Sequence, residues 1–325
     1  MTATAIVPLA SAVTAHAVAF VASHVNRAEA LGVSLAELTN DPDGFATALT
    51  RGLRELADPD YLAGQQRVAP AIGAIHGVRW PLLAAVQRGF RKVTKRDRVT
   101  PLLFIADRLF RERELEARWF AFGLLERTLG AETERTWQLL RRAAREAGDW
   151  ITVDSLAHPY GTGIAAEPYR WAELEQLIYS SSRWERRLVG STIATMTHAD
   201  RRGGRDPEVA IHALPLLAAL MGDADPDVQK ALAWAYRSLI VVDRAATEAA
   251  LRNETERAAL TSDGHRAWVI RDSLSKLDPA TATELRDALA GIRKRPGAPA
   301  TSAAAEAIAR FGQLPDPAEH PEPPL

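Results

Sequence analysis

Trp150 and Asp154 lie four residues apart in the stretch Gly-Asp-Trp-Ile-Thr-Val-Asp-Ser-Leu-Ala-His at 148–158. If the stretch is helical, that spacing puts an indole and a carboxylate one turn apart on a single face. Asp149 then stands where an N-cap accepts the new helix's unpaired N–H groups. A carboxylate beside an aromatic wall suits an electron-poor or cationic group. The plainer alternative makes Trp150 a core residue and Asp154 an ordinary surface acid. Matching groups recur, however, further along the chain. Trp184-Glu185-Arg186-Arg187 and Trp234-Ala235-Tyr236-Arg237 each carry an arginine three residues after a tryptophan, so indole and guanidinium project from adjacent turns.

The elements that must position these groups read as helices throughout. Apolar periodicity and turn signals predict helices at 14–24 and 41–56, a segment at 72–79 ending at Trp80-Pro81, and helices at 82–90, 102–110, 114–129 and 134–147. A short helix opens at 150 and gives way to a Gly- and Pro-bearing loop at 159–168. Further helices follow at 171–179, 184–196, 207–221, 226–242, 244–253, 265–277 and 279–293, with a last one at 303–311. Asp206-Pro207, Asp225-Pro226 and Asp278-Pro279 each read as an N-cap followed by proline in the first turn. Pro59 and the 64–68 region read as a separator. No segment alternates with a period of two long enough to be a strand. Helices of this length, joined by short turns and often paired, bury their apolar faces only by stacking. The expected fold is therefore all-α: a degenerate HEAT-like superhelical solenoid, one domain over 1–295. A tail at 296–325 carries seven prolines and is expected to be largely disordered.

Composition narrows the chemistry. The 325 residues are 47% apolar and 25% charged, the profile of a globular chain with a sizeable core. Absence of cysteine excludes disulfides, thiol catalysis and cysteine-ligated metals. None of the eight histidines forms an HExxH or HxH pair, so no metal or other cofactor is expected. A net charge of −1 argues against a uniformly basic coat. The distribution is nonetheless uneven: only five of the 40 basic residues are lysines. Arg88, Arg91, Lys92, Lys95, Arg96 and Arg98 form one basic cluster; Arg183, Arg186, Arg187, Arg201, Arg202 and Arg205 form another. Guanidinium suits phosphate, and a groove needs only local positive potential; a solvated helix face is the open alternative for each cluster. The first 25 residues lack charge but also lack a basic n-region and enough Leu, Ile or Phe to span a membrane. They read as leading into a docking helix, which places the chain in the bacterial cytosol or nucleoid.

Taken together, the segments resemble the AlkD-like DNA alkylation-repair glycosylases. The matching residues are Asp149-Trp150-Ile151-Thr152-Val153-Asp154 with Ala157, then Trp184-Glu185-Arg186-Arg187, then Gln229 through Arg237. Weaker matches are Gly77-Val78-Arg79 before Pro81, Glu116 through Ala121, and His265-Arg266. The resemblance covers about residues 60–280. It implies that Trp150 and Trp234 wall the damaged nucleotide's sugar, that Asp154 is the catalytic carboxylate, and that Arg187 and Arg237 contact backbone phosphates. Lys230 and Arg183 are further phosphate candidates, with solvated surface as the equal alternative. A basic, Gly-bearing insert at 199–206 and extra material at both ends depart from the pattern, which bears on substrate size and groove shape.

The chemistry also follows from the residues. A purine alkylated at its 3- or 7-position is already cationic, so its glycosidic bond is weak and needs no general acid. An ionised aspartate can stabilise an oxocarbenium-like sugar and position water, and each indole adds about 0.5–2 kcal/mol of cation–π attraction. No lysine adjoins the constellation to form a Schiff base, so a monofunctional glycosylase, acting as a monomer, is expected. Its substrate would be duplex DNA carrying alkylated purines, read along a concave face without base flipping as the resemblance implies. The alternatives are a non-catalytic DNA-binding solenoid and a protein-interaction scaffold.

Overall fold

The computed structural model describes residues 12–70, 72–196 and 206–311. The insert expected at 199–206, apart from Asp206, lies outside the described residues, as do 1–11 and the tail beyond 311. Among the described residues there are sixteen α-helices and no strand, only an isolated antiparallel bridge between Ala57 and Val78. The all-α expectation holds. No described helix is long and apolar enough to cross a membrane. The chain divides into two compact units, Met1–Thr136 and Trp137–Leu325.

The first unit holds α1 (Ala12–Leu35), α2 (Pro42–Glu55), α3 (Pro59–Val68), α4 (Trp80–Val93), α5 (Thr100–Leu109) and α6 (Leu115–Thr128). Helices α1 and α4 approach closely because each offers a glycine to the other's backbone. A Cβ on Gly32 would meet the Val86 carbonyl oxygen at 2.0 Å, and one on Gly89 would meet that of Glu29 at 2.1 Å. Phe45, Phe90 and Phe120 form the aromatic centre, with ring centroids 5.5 to 6.2 Å apart. Residues 72–78 are not helical. Their N–H groups converge on the buried Glu116 carboxylate, which accepts from His76 at 3.1 Å, Gly77 at 2.8 Å and Val78 at 3.2 Å. Gly77 has φ +86°, which a side chain would strain. Arg79 Nε donates to Asp58 at 2.6 Å, and Asp58 also caps α3 through the N–H groups of Asp60 and Tyr61.

The second unit begins at Trp137, within α7 (Thr133–Glu146), and is built in two layers beyond it. One comprises α8 (Trp150–Ala166), α10 (Arg183–Met196), α12 (Pro226–Leu239) and α14 (Gly264–Ser273), each packed on the next. The other runs α9 (Trp171–Leu177), α11 (Glu208–Leu220), α13 (Arg244–Thr261) and α15 (Pro279–Ala288), likewise in sequence, with α16 (Ala303–Phe311) against α11. This alternation of stacked pairs is the solenoid-like packing expected. Small residues set its spacing: Gly190 of α10 faces the Ala231 backbone of α12, and Gly161 of α8 faces Met196 of α10.

Several local expectations need correction: the segment at 72–79 is not helical, α1 runs to Leu35 rather than 24, and α15 ends at Ala288 rather than 293. The loop predicted at 159–168 is mostly helix, because α8 runs on through Pro159 to Ala166. Interior proline costs about 3 kcal/mol, but Pro159 is buried and the Tyr160 ring packs, tilted, with its centroid 4.6 Å from that of the buried Trp137, so tertiary packing outweighs the break. The separator after Pro59 is α3, none of whose ten residues is fully buried, so it leaves only a weak apolar stripe to read. Helix α13 extends to Thr261 rather than 253.

Candidate active site

The start of α8 is fixed by Asp149. Its Oδ1 accepts the Thr152 N–H at 2.8 Å and its Oδ2 the Thr152 hydroxyl at 2.7 Å, so this carboxylate is spent on the cap. Trp150 is thereby the first residue of the helix, and Asp154 follows one turn later.

Helix α10 meets Asp154 with two side chains. Arg187 Nε donates to Asp154 Oδ1 at 3.1 Å and Nη2 to Oδ2 at 2.8 Å, while the Ser191 hydroxyl donates to Oδ1 at 2.6 Å. Three donors thus occupy a carboxylate that offers about four lone-pair positions. The Asp154 side chain keeps 22% of its surface exposed and that of Arg187 keeps 6%. The Arg187 guanidinium carbon lies 5.9 Å from the Trp150 ring centroid, so indole, carboxylate and guanidinium form one group.

Helix α12 is drawn into the same group through its first turn. Asp225 caps it, accepting from Asp227 N at 2.8 Å, and the Asp227 carbonyl accepts from Arg187 Nη1 at 2.6 Å. Arg186, by contrast, faces away from Asp154: its Nε donates to Asp223 at 2.7 Å and its Nη1 to the Ser180 and Ser181 carbonyls. That clamp ties the start of α10 to the turn before α12. Arg187 is left to bridge α8 and α12.

The remaining predicted residues are distributed along this layer. Trp234 is half-buried on α12, two turns beyond Asp227; among the described contacts none joins its ring to Trp150 or Asp154. Lys230 is exposed, 3.6 Å from Asp227 Oδ1. Arg237 Nη1 donates to the Asp272 carboxylate at 2.6 Å and to its carbonyl at 2.7 Å, tying α12 to α14. Arg183 is exposed over the Trp184 ring at 4.5 Å and 3.6 Å from Asp225. His158 is exposed one turn after Asp154.

Two features escaped the reading by sequence. Ser191 is wholly buried and makes the shortest contact to Asp154; its place four residues after Arg187 was the available signal. The second is Lys294, which reaches both α12 and α14. Lys230 pairs with the residue whose carbonyl receives Arg187, and Lys294, at 2.8 Å from Gln229 Oε1, lies 4.5 Å from the Trp268 ring centroid. Burial, and then the charge of Lys230, hold the Lys294 ammonium below its ordinary value.

The His16, Asp58 and Asp60 cluster of the first unit brings possible ligand atoms within 4.8 Å of one another, but the Arg79 guanidinium already holds Asp58 at 2.6 Å. The weaker motif matches have a structural explanation: Gly77-Val78-Arg79 and Glu116 are bound to each other or to Asp58, and so build the scaffold.

A family model described as DNA alkylation repair enzyme matches residues 49–277, which contain the whole Trp150, Asp154, Arg187 and Trp234 set. No curated protein gives a significant match.

Proposed function

The chain belongs to the DNA alkylation repair enzyme family, and on that premise we propose that it is a DNA glycosylase hydrolysing the N-glycosidic bond of cationic 3- or 7-alkylated purines in duplex DNA. The observation that carries this is the Asp154 carboxylate, fixed by Arg187 and Ser191 beside Trp150 yet still partly exposed. As the C1′–N bond breaks, its electron pair neutralises the departing base and positive charge develops on the sugar. Asp154 stabilises that charge and orients a water whose oxygen bonds C1′, its proton passing to the carboxylate or to solvent. The fixed donors mean that little reorganisation is needed at that moment. Trp150 and Trp234 flank the sugar. Arg187 has used three of its five N–H groups, so two remain for a phosphate. Arg237, Lys230 and Arg183 extend the phosphate contacts. The lesion stays stacked in the duplex and the enzyme acts as a monomer.

A second reading, binding without catalysis, draws on the same ion pair, since Arg187 offsets much of the charge that Asp154 would present. Incubating the protein with duplex DNA containing 7-methylguanine separates the two. Free base released over an intact, borohydride-inert backbone is the outcome expected of a monofunctional glycosylase. Tight binding with no free base would leave only the second reading. A covalent adduct trapped by borohydride would instead assign Lys230 or Lys294 a lyase role and refute monofunctionality.

A further inference from the structure

The basic cluster at 88–98 has no part in the site just described. It belongs to the first unit, at the C-terminal end of α4 and the 3-10 turn Thr94–Arg96 that follows. Arg88, Arg91, Lys92 and Lys95 stand at positions i, i+3, i+4 and i+7, so they share one face, while Leu82, Leu83, Val86 and Phe90 are buried on the other. All six basic residues of the cluster are exposed. Among the described residues, Lys92 alone has a carboxylate within ion-pair reach, Glu29 at 3.9 Å.

The turn is anchored by a further cation. Arg127 of α6 donates from Nη1 to the Thr94 hydroxyl at 3.0 Å and from Nη2 to the Thr94 carbonyl at 2.9 Å, with its guanidinium carbon 5.6 Å from the Phe90 centroid. Burial, and then the positive charge of Arg91, push Arg127 below its ordinary value, with Asp97 acting the other way. The fold therefore holds several like charges together here, with Glu29 and Asp97 among the acids nearby.

Resting on the reading that the substrate is duplex DNA, we infer that this face of α4 with its following turn is a second phosphate-binding surface, on the first unit. From Arg88 to Lys95 the helix advances about 10 Å. That matches about three phosphates of one strand at about 3.4 Å of axial rise each. Arginine forks and flexible lysines on an open face suit a repeating backbone better than one enclosed anion.

The test compares the full-length wild type with two triple variants of equal charge change. One is Arg88→Gln/Arg91→Gln/Lys95→Gln. The other removes arginines already paired with acids: Arg111→Gln/Arg135→Gln/Arg252→Gln. Binding to an undamaged 20-base-pair duplex is titrated across 50 to 200 mM salt, and base release is followed in single turnover at saturating protein. Three lost contacts lower the slope of log K against log salt by about 2.7. The gap to wild type then shrinks about 40-fold over that salt range. The paired-arginine variant should keep the wild-type slope, and the release rate should be unchanged in all three. Equal slopes for the two triples would overturn the inference while leaving the glycosylase reading intact. Wild-type protein that fails to bind duplex at all would overturn both.

Discussion

At the scale of single residues, Ser191 and Arg187 hold the Asp154 carboxylate in place from α10. Hydrogen bonds to a charged group contribute about 1.5–3 kcal/mol. Ser191→Ala should therefore slow single-turnover base release about ten- to a hundredfold and lower the thermal midpoint, while leaving duplex Kd near wild type. A change in Kd with an unchanged rate would assign Ser191 to binding instead. The sequence brought Trp150, Asp154 and Arg187 together, because helical spacing and the resemblance both point to one face. It said nothing of the donors satisfied inside the protein, since a sequence does not record which N–H groups are already used. Arg186 and Arg187 are neighbours of one chemical type, yet the first clamps the Asp223 turn and the second the Asp154 carboxylate.

At the scale of elements, the site depends on how closely α8, α10 and α12 approach. A Cβ on Gly190 would lie 2.8 Å from the Ala231 carbonyl carbon and 2.9 Å from its oxygen, both backbone atoms. Gly190→Ala should thus push α10 from α12 and cost about 1–3 kcal/mol. Because Ser191 is the next residue, thermal stability and base release should fall together; calorimetry beside the release assay checks both. In the first unit, burial alone would raise the Asp58 carboxyl, but Arg79 and the N–H groups of Tyr61 and Asp60 outweigh it and hold the group below its ordinary 3.8. A depressed acid stabilises the fold above its unfolded pKa and loses that contribution as pH falls through the folded value. Urea midpoints should accordingly be level from neutrality to about pH 5 and drop below about pH 4, and Asp58→Asn should be less stable at pH 7 with a shallower acid limb. Helix boundaries were legible where Asp-Pro caps mark them, as at Asp225 and Asp278. They were not legible where packing overrides propensity, at Pro159, or where a helix has no fully buried residue, as in α3.

At the scale of the whole molecule, a net charge of −1 conceals a chain whose cations and acids are unevenly partnered. On the α8, α10, α12 and α14 layer most basic groups meet acids: Arg187 meets Asp154, Lys230 meets Asp227 and Arg237 meets Asp272. In the cluster near α4, among the described residues, Lys92 alone reaches an acid, Glu29. Overall composition could not reveal that difference, which depends on the folded neighbours of each cation. What the layer of stacked helices does for function reduces to whether the carboxylate at its centre acts on the sugar. Single-turnover release of 7-methylguanine from duplex DNA, with wild type and Asp154→Asn compared at saturating protein, asks that directly. Asp154→Asn should bind the duplex with near wild-type affinity and release base at least about a hundredfold more slowly. Release at the wild-type rate by a folded Asp154→Asn protein would contradict a catalytic role for that carboxylate.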